Sequence, residues 1–132
     1  MNYKTYEVKV YENDTKHWFL NGKKHREDGP AIEQANGYKV WYLNNKPHRE
    51  DGPAVEYADG DKHWYLNGKR HRGDGPAIER TNGTKYWFLN DKEYSEKDYW
   101  KEVNKSKEKM IIINGKKYSE SIIQNALKEY VK

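Results

Sequence analysis

Cysteine is absent from the 132 residues, which excludes a disulfide framework, thiolate metal sites and a cysteine nucleophile. Long apolar runs are absent as well. The longest, VWYL at 40–43 and MIII at 110–113, fall far short of the roughly 20 residues that cross a bilayer as a helix. The opening MNYKTYEVKV alternates polar and apolar residues and contains no signal-peptide block. A cytoplasmic protein without a membrane partner is therefore the expectation. Aliphatic residues are scarce too, with Leu, Ile, Val and Phe totalling 20, a share usual in disordered chains. The 5 Trp and 12 Tyr, with a net charge of only +4 from 25 bases and 21 acids, oppose disorder. These numbers predict a thin, aromatic-rich structure without a many-layered core.

What the chain does contain is a repeat. Trp18, Trp41, Trp64 and Trp87 stand 23 residues apart, and the text between them recurs as WFLNGKKHREDGPAIE, WYLNNKPHREDGPAVE and WYLNGKRHRGDGPAIE. A fourth copy starts at Trp87 and diverges. Self-similarity at a fixed period means a repeat architecture. The stretch before Trp18 fills the place of a half-repeat: Val8 stands where Ala31 does, and Asn13-Asp14 where Asn36-Gly37 do.

Each unit reads as β structure. Residues 38–43 are rich in β-branched and aromatic types, and Asn36-Gly37, Asp59-Gly60 and Asn82-Gly83 are hairpin signals. Gly-Pro at 29–30, 52–53 and 75–76 marks a second turn. Pro47 replaces Lys24 and Arg70, so that position is no required ladder donor, and KxHRxDGP reads as a connection or edge segment. Two strands per unit fit the period, placing equivalent residues about 10 Å apart along a ribbon. Trp and Leu at alternate positions are the expected spine, with Phe19, Tyr42, Tyr65 and Phe88 on the opposite face. The fold class is thus mainly β, an antiparallel β-hairpin repeat ribbon, with a small α+β C-terminal cap.

Two domains are expected, the repeats over 1–94 and the cap over 95–132. Ser95 and Ser119 look like helix N-caps, and INGKKYSE at 113–120 echoes LNDKEYSE at 89–96. Ile122, Ile123, Ala126, Leu127, Tyr130 and Val131 recur at helical spacing. The stretch 104–109 (NKSKEK) is a polar connection, and the helices are expected to cover the open end of the ribbon.

The unit WYLNGKxHRxDGPAxE resembles tandem repeats in proteins of tailed bacteriophages and large DNA viruses. The 23-residue alternation of turns and aromatic strands is similar to MORN-type β-hairpin repeats. That resemblance covers residues 8–94, and the 110–131 ending is similar to a short tail of phage proteins. It implies a viral protein built as a hairpin ribbon, with no assigned chemistry. The chain lacks the YxGxW-like pattern of MORN proteins, so their membrane roles are not carried over.

Three chemistries are weighed on the residues. His25, Arg26 and Asp28, with their copies His48, Arg49, Asp51 and His71, Arg72, Asp74, place a titratable imidazole beside a carboxylate. Threefold repetition favours a structural role, Asp capping the turn and Arg pairing with a carboxylate of the neighbouring unit, because catalysis needs different residues converging at one point. Metal binding has no HxH or HExxH to rest on, and histidines about 10 Å apart cannot share one ion. A pI near 9 suits RNA or single-stranded DNA binding. Residues 1–94, however, hold 16 bases and 15 acids, and the excess lies in 95–132, with 9 and 6.

The resulting expectation is a non-enzymatic binding protein without cofactor, metal or catalytic residues. Its contact residues are expected to be His25, Arg26, His48, Arg49, His71 and Arg72, with the aromatic row Phe19, Tyr42, Tyr65 and Phe88. The phage resemblance implies a host protein as partner, such as an antiviral defence component that the chain inhibits. Nucleic-acid binding is the alternative, and a small-ligand-sequestering or catalytic protein the third. Homo-dimerisation through an exposed edge or face is left open.

Overall fold

The computed structural model describes residues 4–106 and 110–130. The chain is mainly β, with 16 strands in antiparallel hairpins and two helices among the described residues. It divides into two units, Met1–Glu96 and Lys97–Lys132.

In the first unit one antiparallel sheet runs through the repeats. Tyr6–Val10 pairs with Lys16–Leu20, and the order continues through Ile32–Glu33, Lys39–Val40, Val55–Glu56, Lys62–His63, Ile78–Glu79 and Lys85–Leu89 to Lys92–Tyr94. Its middle strands are two residues long, so register depends on which side chains meet. One row across the sheet reads His17, Ile32, Val40, Val55, His63, Ile78, Tyr86. The row beside it reads Lys16, Glu33, Lys39, Glu56, Lys62, Glu79, Lys85. Charge alternates at every step of the second row. Opposite-charge neighbours across strands contribute roughly 0.2–1 kcal/mol each, and a one-residue slip would place charges in the apolar row.

Two strands per unit is too simple a description. The run over 38–43 divides at Trp41, as its copy divides at Trp64. Lys39–Val40 stays in the main sheet, while Tyr42–Leu43 leaves it to form a hairpin with Lys46–Pro47. Tyr65–Leu66 does the same with Lys69–Arg70. Trp41 makes the corner: its N–H donates to the Ala54 carbonyl (2.8 Å) and its carbonyl accepts from the His48 N–H (3.0 Å). The first two residues of each KxHRxDGP segment are therefore a hairpin strand, and the loop begins at the histidine. The hairpin turn Asn44-Asn45 has φ of +50° and +65°, the type I′ geometry whose twist suits a two-residue connection.

Hairpins of successive units also bond side by side. The Arg26 N–H donates to the Tyr42 carbonyl (3.1 Å), and the Asn45 N–H donates to the Lys24 carbonyl (2.9 Å). The Lys24 N–H is in turn held by Asn45 Oδ1 at 2.7 Å, and the Arg70 N–H by Asp91 Oδ1 at 2.7 Å. Between them Pro47 has no N–H to offer, and the residue matching Asn45 in the next unit is Gly68, which has no side chain to accept one. Donor and acceptor are lost together.

The buried side chains lie along the Ile/Val row. Ile32, Val40 and Val55 form one cluster with Tyr38, Tyr42 and Tyr65 packed against it, and Ala77, Ile78 and Phe88 form another with Trp64 and Tyr86. The expected Trp/Leu spine is displaced: Trp18, Trp41, Trp64 and Trp87 and their leucines are only half-buried. At Trp41 and Trp64 the ring projects from a corner in the backbone, and an arginine covers its face.

In the second unit α1 (Glu96–Ser106) starts directly after Ser95, and α2 (Glu120–Tyr130) directly after Ser119. The Ser119 hydroxyl accepts the Ile122 N–H at 3.4 Å, an N-cap contact. Tyr99 and Val103 of α1 are buried, and Trp100 stands edge-on to Tyr99 with centroids 5.0 Å apart. Residues 104–106, expected to begin a connection, end α1 instead, and 107–109 lie outside the described residues. Between the helices Met110–Ile113 pairs with Lys116–Ser119 as a two-stranded sheet.

Candidate functional site

The HRxDGP segment folds around its arginine. The Arg26 guanidinium lies 3.9 Å from the Trp18 ring centroid, Arg49 lies 3.9 Å from Trp41, and Arg72 lies 4.0 Å from Trp64. Each Nε donates to the aspartate two residues on: Asp28 at 2.9 Å, Asp51 at 3.0 Å and Asp74 at 2.9 Å. Each Nη1 donates to the carbonyl of Pro30, Pro53 or Pro76. On the side away from the tryptophan sits glycine. A Cβ on Gly29, Gly52 or Gly75 would lie 3.0, 2.9 or 2.9 Å from the guanidinium carbon, which explains the glycine of the DGP triplet. The arginine is thus sandwiched between an indole and bare backbone, a desolvated cation–π contact of about 1–2 kcal/mol.

These arginines pair with acids of their own unit rather than of a neighbour. Beyond the aspartates, Nη1 of Arg49 and of Arg72 reaches Glu56 (3.5 Å) and Glu79 (3.0 Å). The histidines make the link between units. Nδ1 of His25 accepts the Asn44 N–H at 3.0 Å, Nδ1 of His48 the Asn67 N–H at 2.9 Å, and Nδ1 of His71 the Asn90 N–H at 3.1 Å. An accepting Nδ1 leaves the ring proton on Nε2, which lies 3.4 Å from Glu27 in the first loop and 3.6 Å from Glu50 in the second. Neither nitrogen is then a free base. Burial pushes the His71 pKa down, favouring its neutral form. Among the described residues no three His, Asp or Glu side chains are grouped to hold a metal ion.

Three of the four aromatics lie with the core, Tyr42 and Tyr65 against the first cluster and Phe88 in the second. Phe88 is buried, at 4% exposure, and Phe19, Tyr42 and Tyr65 are half-buried. Their outer faces carry neighbours: Lys9 over Phe19 (5.1 Å), Lys24 over Tyr42 (5.4 Å), Arg70 over Phe88 (4.3 Å), and His63 stacked on Tyr65 (6.5 Å). Burial raises the pKa of Tyr42 and Tyr65. The structure therefore brings His25, Arg26, His48, Arg49, His71 and Arg72 together along one row of loops and places the aromatics elsewhere.

What the loops present outward is acid. The Asp28, Asp51 and Asp74 side chains are 85%, 86% and 85% exposed, and Glu50 is 84% exposed. Between the first and second loops lies a groove of about 730 Å³ with Trp41 and Leu43 in its lining and Glu27, Asp28, Glu50 and Asp51 at its loops. Between the second and third lies one of about 420 Å³ with Trp64, Leu66, Glu50, Asp51 and Asp74. Sequence reasoning missed these carboxylates by treating Asp as a turn cap. The Arg–Asp spacing of two residues, which turns the arginine inward, was the available signal.

No known protein family, curated protein or solved structure matches the chain.

Proposed function

We propose that this chain is a non-enzymatic protein-binding repeat, and that its partner inserts a lysine- or arginine-bearing segment into the grooves between successive loops. One observation carries the reading: each groove combines an exposed carboxylate rim with Trp and Leu in its lining, while the two arginines that also line it, Arg26 and Arg49 in the first and Arg49 and Arg72 in the second, are each paired with an aspartate. Aliphatic stems of basic side chains lie well on indole and leucine, with the cationic ends at the rim. Charge complementarity of this kind selects a partner and speeds its arrival. The resemblance to phage proteins suggests the use, occupying a basic site on a host protein and so inhibiting it. An acidic rim disfavours phosphate, which lowers the standing of RNA or single-stranded DNA on this face.

Selection from a random extended-peptide display library tests the reading. Enrichment for Lys and Arg is expected, and Glu50→Gln with Asp51→Asn should weaken the selected peptides about tenfold or more, the loss expected from two charge contacts. Enrichment of acidic peptides, or single-stranded DNA binding that tightens when the carboxylates are removed, would refute it.

A further inference from the structure

The first edge of the main sheet is built unlike its interior. From Ile32–Glu33 to Ile78–Glu79 the strands are two residues long, whereas the edge strand Tyr6–Val10 has five residues and no proline or glycine. Among the described residues it pairs with Lys16–Leu20 alone. Sheets avoid further pairing with short or proline-bearing edges, and this edge is neither. The bonds beside it fix which main-chain groups face outward. The Tyr11 N–H donates to the Thr15 carbonyl (2.9 Å), which turns the odd-numbered residues of the strand toward its partner. Trp18, opposite Val8, accordingly sends its N–H to the Ala31 carbonyl and its carbonyl to the His25 N–H, away from the edge strand. The N–H and C=O groups of Tyr6, Val8 and Val10 therefore point out of the sheet. On one face of the strand Val8 is 39% and Val10 62% exposed. On the other, Glu7 and Lys9 stand 3.9 Å apart, both side chains more than half exposed.

We propose that this edge is a homodimer interface, in which Tyr6–Val10 of two copies pair antiparallel about a twofold axis at Val8. Register identifies the second copy as the occupant. With Val8 opposite Val8, the outward groups of Tyr6, Val8 and Val10 all find partners on the other copy. On the apolar face Tyr6 then meets Val10, an aromatic–β-branched pair. On the charged face Glu7 meets Lys9 twice, at the non-hydrogen-bonded positions where side chains come closest. Sliding the copies by two residues in either direction sets Glu7 opposite Glu7 or Lys9 opposite Lys9. The strand is thus complementary to itself in one register and repelled in the two beside it. A charge guards an edge when like meets like; here the dyad brings unlike charges together. Lys4, just before the strand, is held by Glu27 and takes no part. The contact is isologous and closes at two copies. No residue of Tyr6–Val10 lines either loop groove, so the two readings stand or fall independently.

Sedimentation equilibrium of the full chain tests the proposal. The 15.8 kDa protein should approach twice its mass as concentration rises to about 100 µM, and stop there. Val8→Pro removes an outward N–H at the dyad and no bond within the sheet, so it should give a monomer with unchanged circular dichroism. Two charge reversals guard against a folding artefact. Glu7→Lys sets lysine against lysine across the dyad and Lys9→Glu sets acid against acid, so each alone should weaken the dimer about tenfold or more. Mixed in equal amounts, the two variants place Lys opposite Glu at both positions and should associate with each other as tightly as the unaltered chain with itself. A shared folding defect would not be cured by mixing. A monomer throughout this range, growth beyond two copies, a Val8→Pro dimer, or a mixture no more associated than its components would overturn the proposal.

Discussion

Replacing Pro47 and Gly68 together tests whether the bond between neighbouring hairpins has the energy that its geometry implies. In the flanking pairs the main-chain N–H of Lys24 or Arg70 is held at 2.7 Å by the Asn45 or Asp91 side chain. Gly68→Asn alone adds a side chain with no donor to hold. Its φ of +79° suits Asn, and the new Cβ would meet Lys46 at an ordinary 3.6 Å. That single change should fall within about ±0.5 kcal/mol. Pro47→Lys alone restores the N–H without an acceptor and loses proline's restriction of the unfolded chain, costing about 0.4–1 kcal/mol. The double variant gains the bond. A hydrogen bond of this kind nets about 0.5–1.5 kcal/mol, so the cycle should show a favourable coupling of about 1 kcal/mol, or roughly 4 °C in Tm for a chain of this size. Urea unfolding followed by tryptophan fluorescence, run on the four proteins, measures it. Additive single changes, within the roughly 0.3–0.5 kcal/mol of independent sites, would show that the simultaneous loss of donor and acceptor has no energetic meaning.

Other perturbations probe the same frame. Gly52→Ala places a Cβ 2.9 Å from the Arg49 guanidinium carbon and should cost about 1–3 kcal/mol, a loss that largely disappears when Arg49→Ala is already present; calorimetry of the pair decides this. Lys39→Glu sets like charge against both Glu33 and Glu56 and should cost about 1–2 kcal/mol in urea unfolding, with Glu56→Lys recovering part of it. Between pH 7.5 and 5 stability should fall with pH. Burial depresses the pKa of His17, His63 and His71 below 6.5, so the unfolded chain takes up protons that the folded one refuses. The loss begins near 6.5 and levels off below the depressed values; a flat or rising unfolding midpoint over that interval would contradict the assignment. A further fall belongs to lower pH, where Asp91, held below 3.8 by the Arg70 N–H and guanidinium, protonates.

The period, the turns and the β class were legible because they are written in local chemistry. Asn-Gly and Asp-Gly tolerate positive φ, and tryptophan recurs at one interval. The corner at Trp41 was not legible. Residues 38–43 have the propensity of one continuous strand, and only the competing partners, Val55–Glu56 on one side and Lys46–Pro47 on the other, divide it. The alternating Lys/Glu row was visible residue by residue, but its meaning required the register. The contacts of the loop residues were not legible for a related reason. His and Arg recur in every loop, and recurrence looks like display. Yet Arg49 is enclosed by Trp41, Asp51 and the Pro53 carbonyl, and His48 by the Asn67 N–H. These residues recur because each unit needs them to close its loop and bond to the next. The loops differ at the residue after the arginine, Glu27, Glu50 and Gly73, where Glu27 pairs with Lys4 and His25 and Glu50 stands 3.6 Å from His48. The groove of the first and second loops consequently has four carboxylates, Glu27, Asp28, Glu50 and Asp51, whereas that of the second and third has Glu50, Asp51 and Asp74. Lys4 already neutralises one acid of the first groove, so on the proposed reading a basic segment gains no net charge preference for either groove.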